Sequence, residues 1–169
     1  MHTAFAPLRE RQRTIFEAIE DLIIKERFDL SPRLRDLDAE VEAIELALRE
    51  LIATTANGDI ERVPGHVLAK ARERLGQDLR RNPALDEDHL RTLPSLLQYF
   101  DFRELQDAIS GKLLWPDLED RFGSKGNLPG RFGQLAELRN GIRHSRTVTE
   151  VTEKDGEAAI LWFRQVLAK

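Results

Sequence analysis

Apolar residues recur at intervals of three and four along most of this chain, the spacing of one buried helical face. Residues 4–27 carry Leu8, Ile15, Ile19, Leu22 and Ile23 among charges, which predicts an amphipathic helix that Phe28 to Pro32 interrupts. Ser31 followed by Pro32 reads as an N-cap and a first-turn proline, so a second helix is expected from there to about Thr55, where Asn57-Gly58 ends it. Its apolar stripe is regular: Leu34, Leu37, Val41, Ile44, Leu48 and Leu51 are spaced 3, 4, 3, 4 and 3 apart. Fewer than three full heptads favours pairing within one bundle over a coiled coil seeking a partner. Residues 1–60 are therefore expected to form a helical hairpin and residues 61–169 a helical bundle, most simply within one compact domain.

Past the break at Asn57 to Gly65, the pattern predicts a short basic helix over Val67 to Arg81, closed by Asn82-Pro83. Its arginines, Arg72, Arg74, Arg80 and Arg81, suit a solvated face balanced by Glu73, Asp78 and the run Asp86-Glu87-Asp88 better than a phosphate track. Leu90 to Tyr99 reads as a helix, and another is expected over Arg103 to Ser110, with Gly111 as its stop. Leu113, Leu114, Trp115, Leu118 and Phe122 look like large apolar groups carried between loops and packed onto the core, and Gly123 to Gly130 reads as a loop. A helix follows from Leu128-Pro129, with Phe132, Leu135, Leu138 and Ile142 as its buried face. Thr147 to Thr152 has extended character, and a last helix runs from Glu153 to Lys169. The expected class is all-α.

Composition narrows the setting. With 169 residues, 41% hydrophobic and 33% charged, the chain can bury a sizeable core and is neither disordered nor fibrous. It has no cysteine, so disulfides and thiolate metal sites are excluded, and a cytoplasmic location is the default expectation. Arg9, Glu10 and Arg11 precede any apolar run, unlike a secretory signal, and no apolar run is long enough for a membrane span. A net charge of -4 argues against coating nucleic acid through bulk electrostatics, so any such contact must be local.

The chemistry concentrates in Arg139-Asn140-Gly141-Ile142-Arg143-His144-Ser145-Arg146. Here a permanently charged guanidinium lies near an imidazole that exchanges protons close to neutrality, a pair suited to charge stabilisation and proton transfer at a phosphodiester. Asn140 and His144 are four apart and stack on one side of a helix, with Arg139 and Arg143 on an adjacent side. Arg139 and His144 are separated by about 140° of helical rotation, so the reach of arginine, a frayed helix end or a second copy is needed for both to address one phosphate. A purely structural reading would pair the arginine with a carboxylate such as Glu137. The four histidines, His2, His66, His89 and His144, show no metal-ligand spacing among themselves, and no metal or cofactor is expected.

A late helix ending in Leu138-Arg139-Asn140 with His144 after it resembles the HEPN superfamily signature, an arginine, a polar residue and a downstream histidine. The run Tyr99 to Leu105, then Trp115-Pro116, Phe122 and Leu135 to Asn140, resembles the branch found in RNA-surveillance nucleases and bacterial defence proteins. The likeness covers roughly residues 85–168. It implies a helical bundle that pairs as a homodimer, two motifs forming one composite cleft, and metal-independent endoribonuclease activity leaving a 2′,3′-cyclic phosphate. It also implies His144 as general acid or base, Arg139 stabilising the transition state and Asn140 orienting His144 or the phosphate. Arg143 and Arg146 match no fixed family position and are read as contacts to flanking phosphates of RNA. Many HEPN domains are non-catalytic, which implies as the alternative a dimerisation, RNA-binding or protein-binding module with a partner or inhibitor in a defence complex. Two departures stand out. The tyrosine found two places after the histidine in HEPN toxins paired with nucleotidyltransferase antitoxins is replaced by Arg146, and position 143 is arginine where relatives often carry a small residue.

Overall fold

The computed structural model describes residues 30–82, 84–85, 90–144 and 148–169. Seven α-helices are described in full: α1 (Pro32–Ala56), α2 (Gly65–Arg81), α3 (Leu93–Leu97), α4 (Phe102–Ile109), α5 (Trp115–Phe122), α6 (Leu128–Arg143) and α7 (Glu150–Leu167). Short 3-10 turns at Ile60–Arg62 and Lys125–Asn127 precede α2 and α6, and no strand occurs among the described residues. The chain divides into two compact units, residues 1–38 and 39–169, with the break inside α1. The first helix of the expected hairpin falls outside the described residues. No described helix is long and apolar enough to cross a membrane.

The helix boundaries follow local chemistry. Ser31 Oγ accepts from the Leu34 backbone N–H at 3.2 Å, capping α1. Asn57 and Gly58 then turn through positive φ, 53° and 74°, and end it. Val41, Ile44, Leu48, Ile52 and Ala56 of α1 are buried within the second unit. The stripe thus drifts from Leu51 to Ile52, following the 3.6-residue period of a straight helix rather than a heptad. Leu90 to Tyr99 is not one helix. Pro94 lacks an N–H and is tolerated only in a first turn, so α3 begins at Leu93 and lasts five residues. Asp101 then starts α4 with a capping box: its side chain accepts from Glu104 N at 2.9 Å, and the Glu104 side chain accepts from Asp101 N at 3.0 Å.

The apolar segment expected between loops and packed onto the core is a helix with a buried face. Pro116 occupies the first turn of α5, and Trp115, Leu118 and Phe122 are buried along one face, a spacing of three and four that already carried the helical period. Of the stretch expected to be extended, Thr147 to Thr152, residue 147 lies outside the described residues, Thr149 is extended, and residues 150–152 are helical. Thr149 Oγ1 accepts from Thr152 N at 3.1 Å, so α7 begins at Glu150, with Glu150 and Glu153 favouring its positive N-terminal end.

α6 and α7 form the central antiparallel pair. Phe132 and Phe163 meet edge to face at 5.0 Å and are fully buried, and Phe102 joins Phe132 from α4 at 6.4 Å. The helices approach closely where Gly156 faces Leu138: a Cβ at 156 would lie 2.5 Å from Leu138 Cδ2 and 2.9 Å from its Cβ. Helix propensity alone would favour alanine by about 1 kcal/mol. Overpacking against a buried leucine costs about 1–3 kcal/mol and wins. Gly156→Ala is therefore expected to destabilise the protein in urea unfolding. Gly133→Ala, on an open stretch of α6 where nothing lies within 4 Å, should instead stabilise it by about 0.5–1 kcal/mol. Equal effects of the two substitutions would contradict this packing.

Arginines clasp the helix ends, where carbonyls lack intrahelical partners. Arg121 Nη1 donates to Val166 O at 3.0 Å and to Leu167 O at 2.9 Å, closing α7. Arg49 Nε donates to Leu97 O at 2.8 Å and its Nη2 to Phe100 O at 3.1 Å, closing α3. Arg74, expected on a solvated face, makes a bidentate pair with Glu104 and donates to Tyr99 O. The hydrogen bonds that Arg74 donates to the Glu104 carboxylate raise the Arg74 pKa above its usual value, so its charge is fixed.

Candidate functional site

The buried row Leu128, Phe132, Leu135, Leu138 and Ile142 sets the roll of α6, and that roll determines where the motif points. Arg139 and Arg143 turn toward α1, whereas Asn140 and His144 face solvent. His144 is the C-cap of α6, with φ −108° and ψ 21°, and its backbone N–H donates to Asn140 O at 3.1 Å. Arg146 lies outside the described residues. The expected strip of Asn140 and His144 on one side and Arg139 and Arg143 on another is in place.

Arg139 Nε lies 3.4 Å from Glu45 Oε2, and its guanidinium carbon is 5.8 Å from the centre of the Phe102 ring. Glu45 is only 5% exposed. Burying a carboxylate is costly without a compensating charge, and here its other oxygen is 2.5 Å from Arg49 Nη2. One carboxylate therefore serves two guanidiniums, and the three groups together keep one positive charge. Arg139 Nε is itself buried without a hydrogen bond among the described residues, so Glu45 holds it by charge rather than by a directed bond. Glu137, the neighbouring carboxylate considered from the sequence, is exposed. It sits two residues away, and residues so spaced do not face each other on a helix.

Arg143 Nη2 is 3.8 Å from Glu42 Oε2, a partly exposed pair worth at most about 1 kcal/mol. Contacts of Glu42 with Arg143 and Glu45 with Arg139 make α1 and α6 antiparallel at this end. Glu45 and Arg49 escaped the sequence reading. The available signal was a carboxylate among the buried residues Val41, Ile44 and Leu48, a position that demands a cationic partner.

The arrangement can do two things chemically. It presents a fixed positive charge with a carboxylate behind it, suited to an anion, and it presents an exposed imidazole at a helix end, able to exchange a proton with a bound group. Arg139 and His144 lie on different sides of α6, so within one chain they do not form a single pocket. Among the described residues no cluster of three or more His, Asp or Glu side chains is placed to hold a metal ion. No protein-family model, curated protein or solved structure matches this chain.

Proposed function

We propose that the protein is a metal-independent endoribonuclease of the HEPN type, working as a homodimer in which the ends of two α6 helices face each other. The observation that carries this reading is the net-positive Arg49–Glu45–Arg139 cluster on one side of α6 together with the exposed His144 on another, at the end of the same helix. Because Arg139 and His144 occupy different sides of one helix, a second copy would bring an imidazole opposite each guanidinium.

In this reading, neutral His144 takes the proton from a ribose 2′-OH as O2′ bonds to the adjacent phosphorus. The bond from phosphorus to the 5′ oxygen breaks, and that oxygen leaves with a proton from an imidazolium. The products are a 2′,3′-cyclic phosphate and a 5′-hydroxyl. Arg139 stabilises the charge that develops on the phosphoryl oxygens, and its restraint by Glu45 lowers the reorganisation needed as that charge forms. Asn140 orients His144 or the phosphate, and Arg143 and Arg146 hold flanking phosphates. RNA cleavage in phage defence or as a toxin fits this chemistry, with a protein partner or inhibitor as its control.

The ion pair with Glu45 favours a second reading, because a purely structural arginine would make it too. The protein would then be a non-catalytic dimerisation, RNA-binding or protein-binding module of a larger complex. An RNA strand and its 2′-deoxy counterpart, each incubated with the protein in EDTA, separate the two. The ribonuclease reading expects the RNA alone to be cut, with cyclic phosphate ends. RNA bound and left intact by a dimer would support the module.

A further inference from the structure

At the start of α6, far from the motif, lies a recess of about 410 Å³ walled by Gly126, Asn127, Gly130, Arg131, Gln134 and Trp162. Its size falls in the range of small-ligand clefts. The indole of Trp162 is seated against Phe122 at 6.1 Å and Phe163 at 4.9 Å, both buried, so the ring is fixed. The Arg131 guanidinium lies over that ring, 5.8 Å from its centre, and Arg131 Nη1 donates to Gln134 Oε1 at 3.3 Å. At Gly130 nothing lies within 4 Å of where a Cβ would stand, which leaves the wall open. The lining thus combines one cation, two amide side chains and one aromatic face, with no carboxylate, in a chain whose net charge is -4.

A planar stacking surface, amides that both donate and accept, and a single cation are the groups that recognise an unpaired nucleotide. We propose that this recess binds one nucleotide, its base stacked on the Arg131–Trp162 pair and its edge hydrogen-bonded by Gln134 and Asn127. As an assignment of substrate this rests on the ribonuclease reading, in which the recess holds a nucleotide of the strand being cut. Arg131 and His144 are separated by about 20 Å along α6, so a strand of several nucleotides would engage both. A free nucleotide offers the same chemistry.

The test uses the wild-type protein, adenosine monophosphate, and a 2′-O-methyl oligoadenylate hexamer that cannot be cut by 2′-OH attack. Affinity is measured by calorimetry, and tryptophan fluorescence is followed in wild type and Trp162→Phe. The expected result is that the hexamer binds and quenches wild-type fluorescence, and that Arg131→Ala, confirmed helical by circular dichroism, weakens binding about 10-fold or more. Arg131→Lys, which keeps the charge and loses the plane, should still weaken it several-fold. Tighter binding of the hexamer assigns the recess to a strand, and equal or tighter binding of the monophosphate assigns it to free nucleotides. Affinity unchanged in Arg131→Ala, or no binding of either probe, overturns the proposal. Cleavage of unmodified RNA is scored separately. Binding through Arg131 without cleavage would remove the ribonuclease reading and keep the recess, whereas cleavage and affinity both unaltered in Arg131→Ala would do the reverse.

Discussion

Arg74→Met is expected to lower unfolding stability by about 3–5 kcal/mol, more than any other exchange of a charged residue described above. The reason is an asymmetry in the pair. Glu104 is 1% exposed, and removing Arg74 leaves its buried carboxylate to the Lys70 ammonium, 3.8 Å away, and the Asp101 backbone N–H, at 3.0 Å, without its bidentate guanidinium. Arg74 is part-exposed, so after Glu104→Gln its guanidinium can turn to water and still donate to Tyr99 O, and the loss should be nearer 1–2 kcal/mol. For a chain of 169 residues the larger change corresponds to a fall in Tm of roughly 10 °C. Thermal unfolding of the two variants side by side checks the order. A smaller effect from Arg74→Met than from Glu104→Gln would mean that Glu104 is not held by Arg74.

Arg139→Ala carries the second large expectation, a fall of about 10²–10³ in the rate of RNA cleavage. Its effect on stability should be smaller than that of Arg74→Met, because Glu45 keeps its 2.5 Å contact with Arg49 when Arg139 is removed. Glu45→Gln keeps the side-chain shape but removes the charge that restrains Arg139, so cleavage should also slow, by a smaller factor. Rate measured against unfolding midpoint for these variants separates the two readings of the ion pair. An arginine that only braces α1 against α6 would lose stability in both variants and change nothing in a cleavage assay.

How much of this was legible in the sequence depended on how local each cause was. Ser31-Pro32 and Asn57-Gly58 marked both ends of α1 because a cap and a positive-φ turn are decided by adjacent residues. The core face of α6 was legible for the same reason, and it correctly divided Arg139 and Arg143 from Asn140 and His144. Trp115, Leu118 and Phe122 were read as core-packing groups between loops, with no helix assigned although their spacing was helical, and Pro116 sits where a first turn accepts it. The glutamate at 45 could not be matched to Arg139 from sequence, because nothing local in α1 states which helix it will face. Arg74 was balanced on paper against nearby carboxylates, Glu73 and Asp78, whereas folding brings it the more distant Glu104.

The central claim is tested most directly by incubating a fluorescent single-stranded RNA with wild type and with His144→Ala in EDTA, and analysing the product ends. Wild type should cut and leave 2′,3′-cyclic phosphates, and His144→Ala, still helical and dimeric, should be slower by about 10²–10⁴. Equal cleavage by both proteins, or none by a wild-type dimer, would contradict the assignment of His144 and the ribonuclease reading built on it.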